Sequence, residues 1–248
     1  MTQHNTLSAN LRPKNYLGSA LLFVGIFSTA TIAGILILLT TPLPFNVRYQ
    51  ISRAWCGLVL WMAKVFCGVR YEVEGLENLN TGQASIVLSN HQSAWETLAL
   101  RYIIPSTQAA LLKRSLTWFP IWGWALSTLN PIAIDRKKQR EALRTLLEKG
   151  KLYLNQGLWV VVFPEGTRTA AGEVKKFSAG GAILAQQSGC PVIPVAHNAG
   201  DYWPRYSFLK YPGTIKVKIG PAIESQGRKA ADINAEAESW ITRAIKEM

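Results

Sequence analysis

Ala84-Ser85-Ile86-Val87-Leu88-Ser89-Asn90-His91-Gln92-Ser93-Ala94-Trp95-Glu96 begins as a strand and ends as a helix. Its first five residues form a short run rich in apolar and β-branched side chains, read as a strand over Ala84–Leu88. A helical pattern starts near Ala94 and continues to Ile103, so His91 stands in the turn where the strand ends. Functional groups gather at such edges. The same texture continues along the chain: strands are predicted over Pro131–Ile134, Leu158–Phe163, Val192–Val195 and Ile215–Ile219, with helices over Gln139–Leu154 and Ala231–Lys246. Strands alternating with helices imply an α/β domain.

His91 and Glu96 are the candidate chemistry of that turn. A histidine accepts a proton from an alcohol near neutral pH, and a carboxylate on its other ring nitrogen fixes the tautomer and stabilises the imidazolium. On one continuous helix a separation of five residues turns about 500°, leaving the two side chains about 140° apart. The pairing therefore requires His91 in the loop and Glu96 in the first helical turn. A plainer role competes with it, because Ser93 and Glu96 form an S-x-x-E capping box in which each side chain satisfies a backbone N–H. By themselves, these residues leave both roles open for Glu96.

Upstream the sequence changes character. No charged residue occurs from Tyr16 to Val47, and Leu17 to Leu39 is almost wholly apolar, matching the roughly 20 residues needed to cross a bilayer. The run is too long for a typical signal-peptide core, and no small-residue cleavage site precedes Pro42 and Pro44. A second apolar stretch, Trp55 to Val69, is shorter and carries Lys64, with Trp55, Trp61 and Phe66 as interfacial anchors. Arg12 and Lys14 flank the first segment on one side, Arg48 and Arg53 on the other, so a full span and a hairpin entering and leaving by one face fit alike. The expected organisation is a membrane-associated helical region over residues 1–70 and a catalytic domain over 71–248.

Composition agrees. Lys and Arg outnumber Asp and Glu by 27 to 15, for a net charge of +12, while 48% of the 248 residues are hydrophobic and 9 are Trp. A nucleic-acid binder has no use for the long apolar run, whereas anionic lipid headgroups account for both features. Cys56, Cys67 and Cys190 are odd in number and lack metal-ligand spacing, implying a reducing compartment without structural disulfides. His4, His91 and His197 are the only histidines, and no metal site is expected.

Asn90 to Glu96 resembles the His-x4-acid motif of the glycerolipid acyltransferases, specifically those acting on 1-acylglycerol 3-phosphate. Three further blocks follow in the family's order. Lys113-Arg114-Ser115-Leu116 with Pro120 and Gly123, then Pro131 to Arg136, resembles the second; Phe163-Pro164-Glu165-Gly166-Thr167-Arg168 the third; and Val192-Ile193-Pro194-Val195-Ala196 the fourth. Together they cover about residues 84–198. Most of the wider family carries Asp at the acid position, whereas this chain belongs with a smaller branch that has Glu. The resemblance implies a glycerol-phosphate-acyltransferase-like fold, a mixed sheet flanked by helices with an N-terminal membrane-anchoring segment. It also implies transfer of a fatty acyl group from acyl-CoA or acyl carrier protein to the sn-2 hydroxyl of lysophosphatidic acid, with the thioester as co-substrate and no cofactor.

Within that frame His91 is the expected general base and Glu96 its orienting carboxylate. The Phe163–Arg168 segment ends an apolar run, so Gly166 allows close backbone approach while Thr167 and Arg168 face an anion. Lys113 and Arg136 are further candidates for phosphate contacts, and the resemblance gives Glu165 an organising role in the substrate site. Arg136 heads a basic run through Arg140 whose remaining residues suit lipid headgroups; Lys175 and Lys176 read as surface residues. No G-x-S-x-G elbow is present and no Cys pairs with His91, so direct transfer is expected rather than an acyl-enzyme. The resemblance further places the enzyme on a bacterial cytoplasmic membrane, with its active site on the face where thioesters are found. Two rivals remain: a remodelling enzyme acting on another lysophospholipid headgroup, and a non-catalytic lipid-binding protein that keeps the fold.

Overall fold

The computed structural model describes residues 13–80, 82–173 and 175–248; His4 and Arg12 lie outside them. Seven strands make one sheet, β1 (Val69–Glu74), β2 (Ile86–Ser89), β3 (Gln108–Lys113), β4 (Ile132–Ile134), β5 (Trp159–Val162), β6 (Val192–His197) and β7 (Gly213–Ile219). They lie in the order β1-β7-β6-β2-β5-β3-β4. Every neighbouring pair is parallel except β6 with β7, so the sheet is mixed. The central strands β2, β5 and β6 are buried on both faces, which is why they read as unbroken apolar runs.

Successive residues of a strand point to opposite faces, and the core divides accordingly. Val87, Trp159, Val161, Ile193 and Val195 pack on one face against helix α2 (Phe45–Cys67) and helix α3 (Trp95–Ile103), through Val59, Leu60, Ala63, Trp95 and Ala99. Ile86, Leu88, Val160, Val162 and Val192 pack on the other face. Their partners are α5 (Gln139–Asn155), α6 (Gly180–Ser188) and α7 (Ala230–Lys246), through Leu146, Leu184, Ile233 and Ile241. Each such aliphatic side chain contributes roughly 1.5–3 kcal/mol by burial, so a charge at Val87 or Val160 would break the sandwich.

Helix α1 (Tyr16–Leu39) is the one helix among the described residues long and apolar enough to cross a membrane, and only 17% of its most apolar window is buried. Asn15 caps it, accepting from the Gly18 N–H at 2.7 Å and donating to the Phe66 carbonyl at 2.8 Å, which ties its start to the end of α2. Its inner side packs on α2, where the Trp55 indole N–H donates to Thr29 Oγ1 at 3.1 Å. A different side meets the short helix α4 (Trp122–Ser127), where the Trp122 indole donates to Thr31 Oγ1 at 3.1 Å. Leu17, Val24, Ile32 and Leu39 point outward.

The predicted strands and helices are present with their ends shifted by a residue or two. Three differences are larger. The apolar stretch expected from Trp55 is the second half of a helix, α2, that begins at Phe45; Arg48 and Arg53 interrupt the apolar pattern, while their guanidinium groups turn out to bond the carbonyls of Leu43 and Tyr102. Strands β1 and β3 went unpredicted. So did helices α4 and α6; the Gly-Gly-Ala start of α6 hides a helix, and Gly181 lets α6 approach β2 so closely that an added Cβ would lie 2.5 Å from Leu88.

Candidate active site

The C-terminal ends of β2 and β6 lie side by side, with Ser89 opposite Val195. Two residues beyond this pairing the strands deliver His91 and His197 to one place. Asn90 links them: its Nδ2 donates to the His197 carbonyl at 2.9 Å and its Oδ1 accepts the His197 N–H at 3.0 Å. His91 then sits in the loop and Glu96 in the first turn of α3, the bend that their spacing demands.

His91 Nδ1 is 2.7 Å from Glu96 Oε1, and both side chains are nearly sealed from solvent. With the carboxylate as acceptor, Nδ1 carries the proton and Nε2 is the free basic nitrogen. The ring stacks on Phe163 at 4.3 Å between centroids and 17° between planes, which fixes its second degree of freedom. Glu96 Oε1 also accepts the N–H groups of Gln92 and Ser93 at 3.0 and 2.8 Å, so capping and histidine orientation are one arrangement, not alternatives. Ser93 Oγ accepts from Trp95 N–H at 3.0 Å and completes the helix start.

Glu165 enters from the loop after β5. Its Oε2 accepts the His91 backbone N–H at 3.3 Å and lies 3.0 Å from Thr169 Oγ1, while Thr169 N–H donates to the His91 carbonyl at 2.7 Å. Burial pushes the Glu165 carboxyl up to about 7, and the nearby Glu96 charge adds to the rise. The third block and the adjoining Thr169 therefore grip the backbone of the His91 loop. Gly166, at φ +72, supplies the turn that brings the chain back.

His91, Lys113, Arg136, Phe163 and Arg168 line one cavity of about 250 Å³, whose remaining walls are largely apolar and include Leu98, Leu112 and Val161. A second cleft of about 650 Å³ adjoins it through Arg136 and Phe163, taking in Glu165, Gly166 and an apolar flank of Leu143, Leu146 and Phe177. Among the described residues no carboxylate pairs with Lys113, Arg136 or Arg168. Burial first, and the neighbouring Arg168 charge second, hold the Arg136 guanidinium below its ordinary range. Cations gathered without counter-ions around a basic histidine suit an anionic substrate. A wider cleft of about 720 Å³ at the opposite ends of the strands, near Ala84, Gly157 and Trp159, has no ionisable lining.

The structure thus gathers His91, Glu96, Lys113, Arg136, Glu165, Gly166 and Arg168; Thr167 occupies the same turn but lines neither of the two adjoining spaces. Phe163, Thr169 and His197 are further members that the sequence reading did not select. His197 carried a signal, since it follows the end of a predicted strand just as His91 does. Among the described residues no group of His, Cys, Asp or Glu side chains is arranged to hold a metal.

Comparison with known proteins agrees with this fold. The acyltransferase family model matches residues 70–198. A 1-acyl-sn-glycerol-3-phosphate acyltransferase of Pseudomonas aeruginosa is 44% identical over 236 residues, covering 93% of this chain and 91% of its own. The mouse 1-acyl-sn-glycerol-3-phosphate acyltransferase alpha is 33% identical over 184 residues, 73% of this chain and 65% of its own. The crystal structure of the 1-acyl-sn-glycerophosphate acyltransferase PlsC from Thermotoga maritima superposes with a TM-score of 0.79 over 94% of this chain and 95% of that one, at 24% identity, a likeness of fold. Sequence, sheet topology and a histidine–carboxylate pair at the strand ends converge, and the chain belongs to the acyltransferase family.

Proposed function

We propose that this acyltransferase moves a fatty acyl group from acyl-CoA or acyl carrier protein to the sn-2 hydroxyl of 1-acylglycerol 3-phosphate, forming phosphatidic acid for phospholipid synthesis. The observation that carries the reading is the 2.7 Å His91–Glu96 contact on the edge of a cavity that also takes Lys113, Arg136 and Arg168. His91 Nε2 removes the hydroxyl proton as the oxygen attacks the thioester carbonyl; the C–S bond then breaks and the thiolate takes the proton from the imidazolium. Glu96 keeps the ring in the Nδ1–H tautomer and balances its positive charge. Lys113, Arg136 and Arg168 receive the phosphate, while Glu165, Gly166 and Thr167 shape the loop that carries Arg168. The thioester is a co-substrate, and these steps call for no cofactor.

In this reading residues up to about 70 form the membrane-associated region and the rest the catalytic domain, with α2 serving both, since it also covers one face of the sheet. Support for seating at a lipid surface comes from the outward apolar side of α1 and from Leu116, Trp118, Phe119 and Trp124, exposed on the segment that α4 ties to α1. The +12 charge favours an anionic leaflet. We place the protein on a bacterial inner membrane with its site on the cytoplasmic side, where acyl thioesters are made. The test is transfer of labelled acyl groups by the detergent-purified full chain. Phosphatidic acid from lysophosphatidic acid is the expected product; if lysophosphatidylcholine is acylated and lysophosphatidic acid is not, the remodelling reading replaces this one, and if neither is, a lipid-binding role does.

A further inference from the structure

We propose that His197 is a positioning residue for acyl transfer, a neutral imidazole that faces the far oxygen of Glu96 and keeps that carboxylate aligned on His91. The inference rests on the proposed roles of His91 and Glu96 and extends them by one residue. His197 is 1% exposed, and its ring is held from both sides: Nε2 is 2.9 Å from the Asn90 carbonyl and Nδ1 accepts the Ala199 N–H at 3.2 Å. Those partners allow one neutral tautomer, with the proton on Nε2. Desolvation by burial lowers its basicity, so the ring stays uncharged as His91 cycles.

The same Nε2 lies 4.0 Å from Glu96 Oε2. That oxygen is fully buried and has no hydrogen-bond partner among the described residues, while Oε1 receives His91 Nδ1 and two backbone N–H groups. A buried carboxylate oxygen with no donor is costly unless a positive dipole faces it. The His197 Nε2–H, donated to the Asn90 carbonyl, keeps the positive end of its dipole near that oxygen without a charge that would oppose the imidazolium of His91. Asn90 completes the device by binding His197 through backbone and side chain alike. A carboxylate at this depth, reaching between two rings, uses the length of Glu.

The experiment compares His197→Phe and His197→Gln in the full-length enzyme. It reads kcat and KM with lysophosphatidic acid and palmitoyl-CoA, the downfield proton NMR signal of the short His91–Glu96 hydrogen bond, and thermal unfolding. Expected for His197→Phe is a fall in kcat of about 10–100-fold with KM within about threefold, and loss or displacement of the downfield signal. Gln, whose amide N–H reaches the place of Nε2, is expected to restore both to within about fivefold of wild type. In a His91→Ala background His197→Phe should slow the residual rate no further, because it acts through His91. Unchanged kcat and signal in His197→Phe would overturn the proposal, as would equal losses in both variants tracking a drop in unfolding temperature. Should wild type fail to turn over this acceptor, the proposed reaction is wrong, and the NMR signal alone then decides whether His197 positions Glu96.

Discussion

The floor of the site and its rim are built on opposite principles. At the floor, His91, Glu96, His197 and Asn90 are buried, and only Glu96 Oε2 among their acid and ring groups lacks a direct bond within the protein apart from the basic nitrogen of His91. At the rim, Lys113, Arg136 and Arg168 surround a cavity, and among the described residues no carboxylate pairs with them. A group that must hand over a proton gains from being preset, since reorganisation at the moment of reaction raises the barrier. Groups that must receive a phosphate gain from being unpaired, since an internal salt bridge would compete with the ligand. In the proposed function the difference separates chemistry from binding, and substitutions should respect it.

The sharpest break is at the floor. His91→Ala is expected to lower kcat by about 10³–10⁴-fold, and Glu96→Gln by about 10²–10³-fold, each with little change in KM for the lysolipid. Steady-state acyl transfer reads both. A rise in KM at constant kcat would mean that the pair binds rather than reacts. Glu96→Asp should fall between wild type and Gln, since a shorter carboxylate keeps its charge but not its reach.

A smaller effect sharpens the comparison at the loop joining floor to rim. Glu165 has a folded-state value near 7, above the ordinary carboxylate range, so its contribution to stability is complete at pH below about 4.5 and is lost as pH rises through about 7. Glu165→Gln removes that dependence. Relative to wild type, its unfolding temperature in detergent should therefore rise by a few degrees between pH 4.5 and pH 8, on the order of 1 kcal/mol. A parallel offset at every pH would show that folding leaves the Glu165 carboxyl unshifted.

How much of this was legible beforehand follows the same division. Local information was sufficient for the central strands, where Val, Ile and Leu run unbroken, and for α1, whose apolar length declares itself. It failed where partners are distant: β3 reads Gln-Ala-Ala-Leu-Leu-Lys, a sequence equally at home in a helix, and is a strand because β5 and β4 flank it. For Glu96 the capping pattern and the catalytic pattern were both present, and only the structure displays one oxygen serving both. His197 could not be joined to His91 without knowing that β6 lies beside β2, since 106 positions of sequence separate them, a gap read directly from their numbers. The cations were recognisable as candidates, but their lack of counter-ions is a fact of packing.

The most direct test of a preset floor beneath an open rim is a cycle between the substrate's phosphate and the arginine that we assign to it. Acyl transfer would be measured to lysophosphatidic acid and to monoacylglycerol, which lacks the phosphate, with wild type, Arg168→Ala and His91→Ala. Wild type should prefer the phosphorylated acceptor by at least about 100-fold in kcat/KM, Arg168→Ala should lose most of that preference mainly through KM, and His91→Ala should slow both acceptors alike. If Arg168→Ala leaves the preference intact, or if His91→Ala erodes it while kcat stands, the division between floor and rim is wrong.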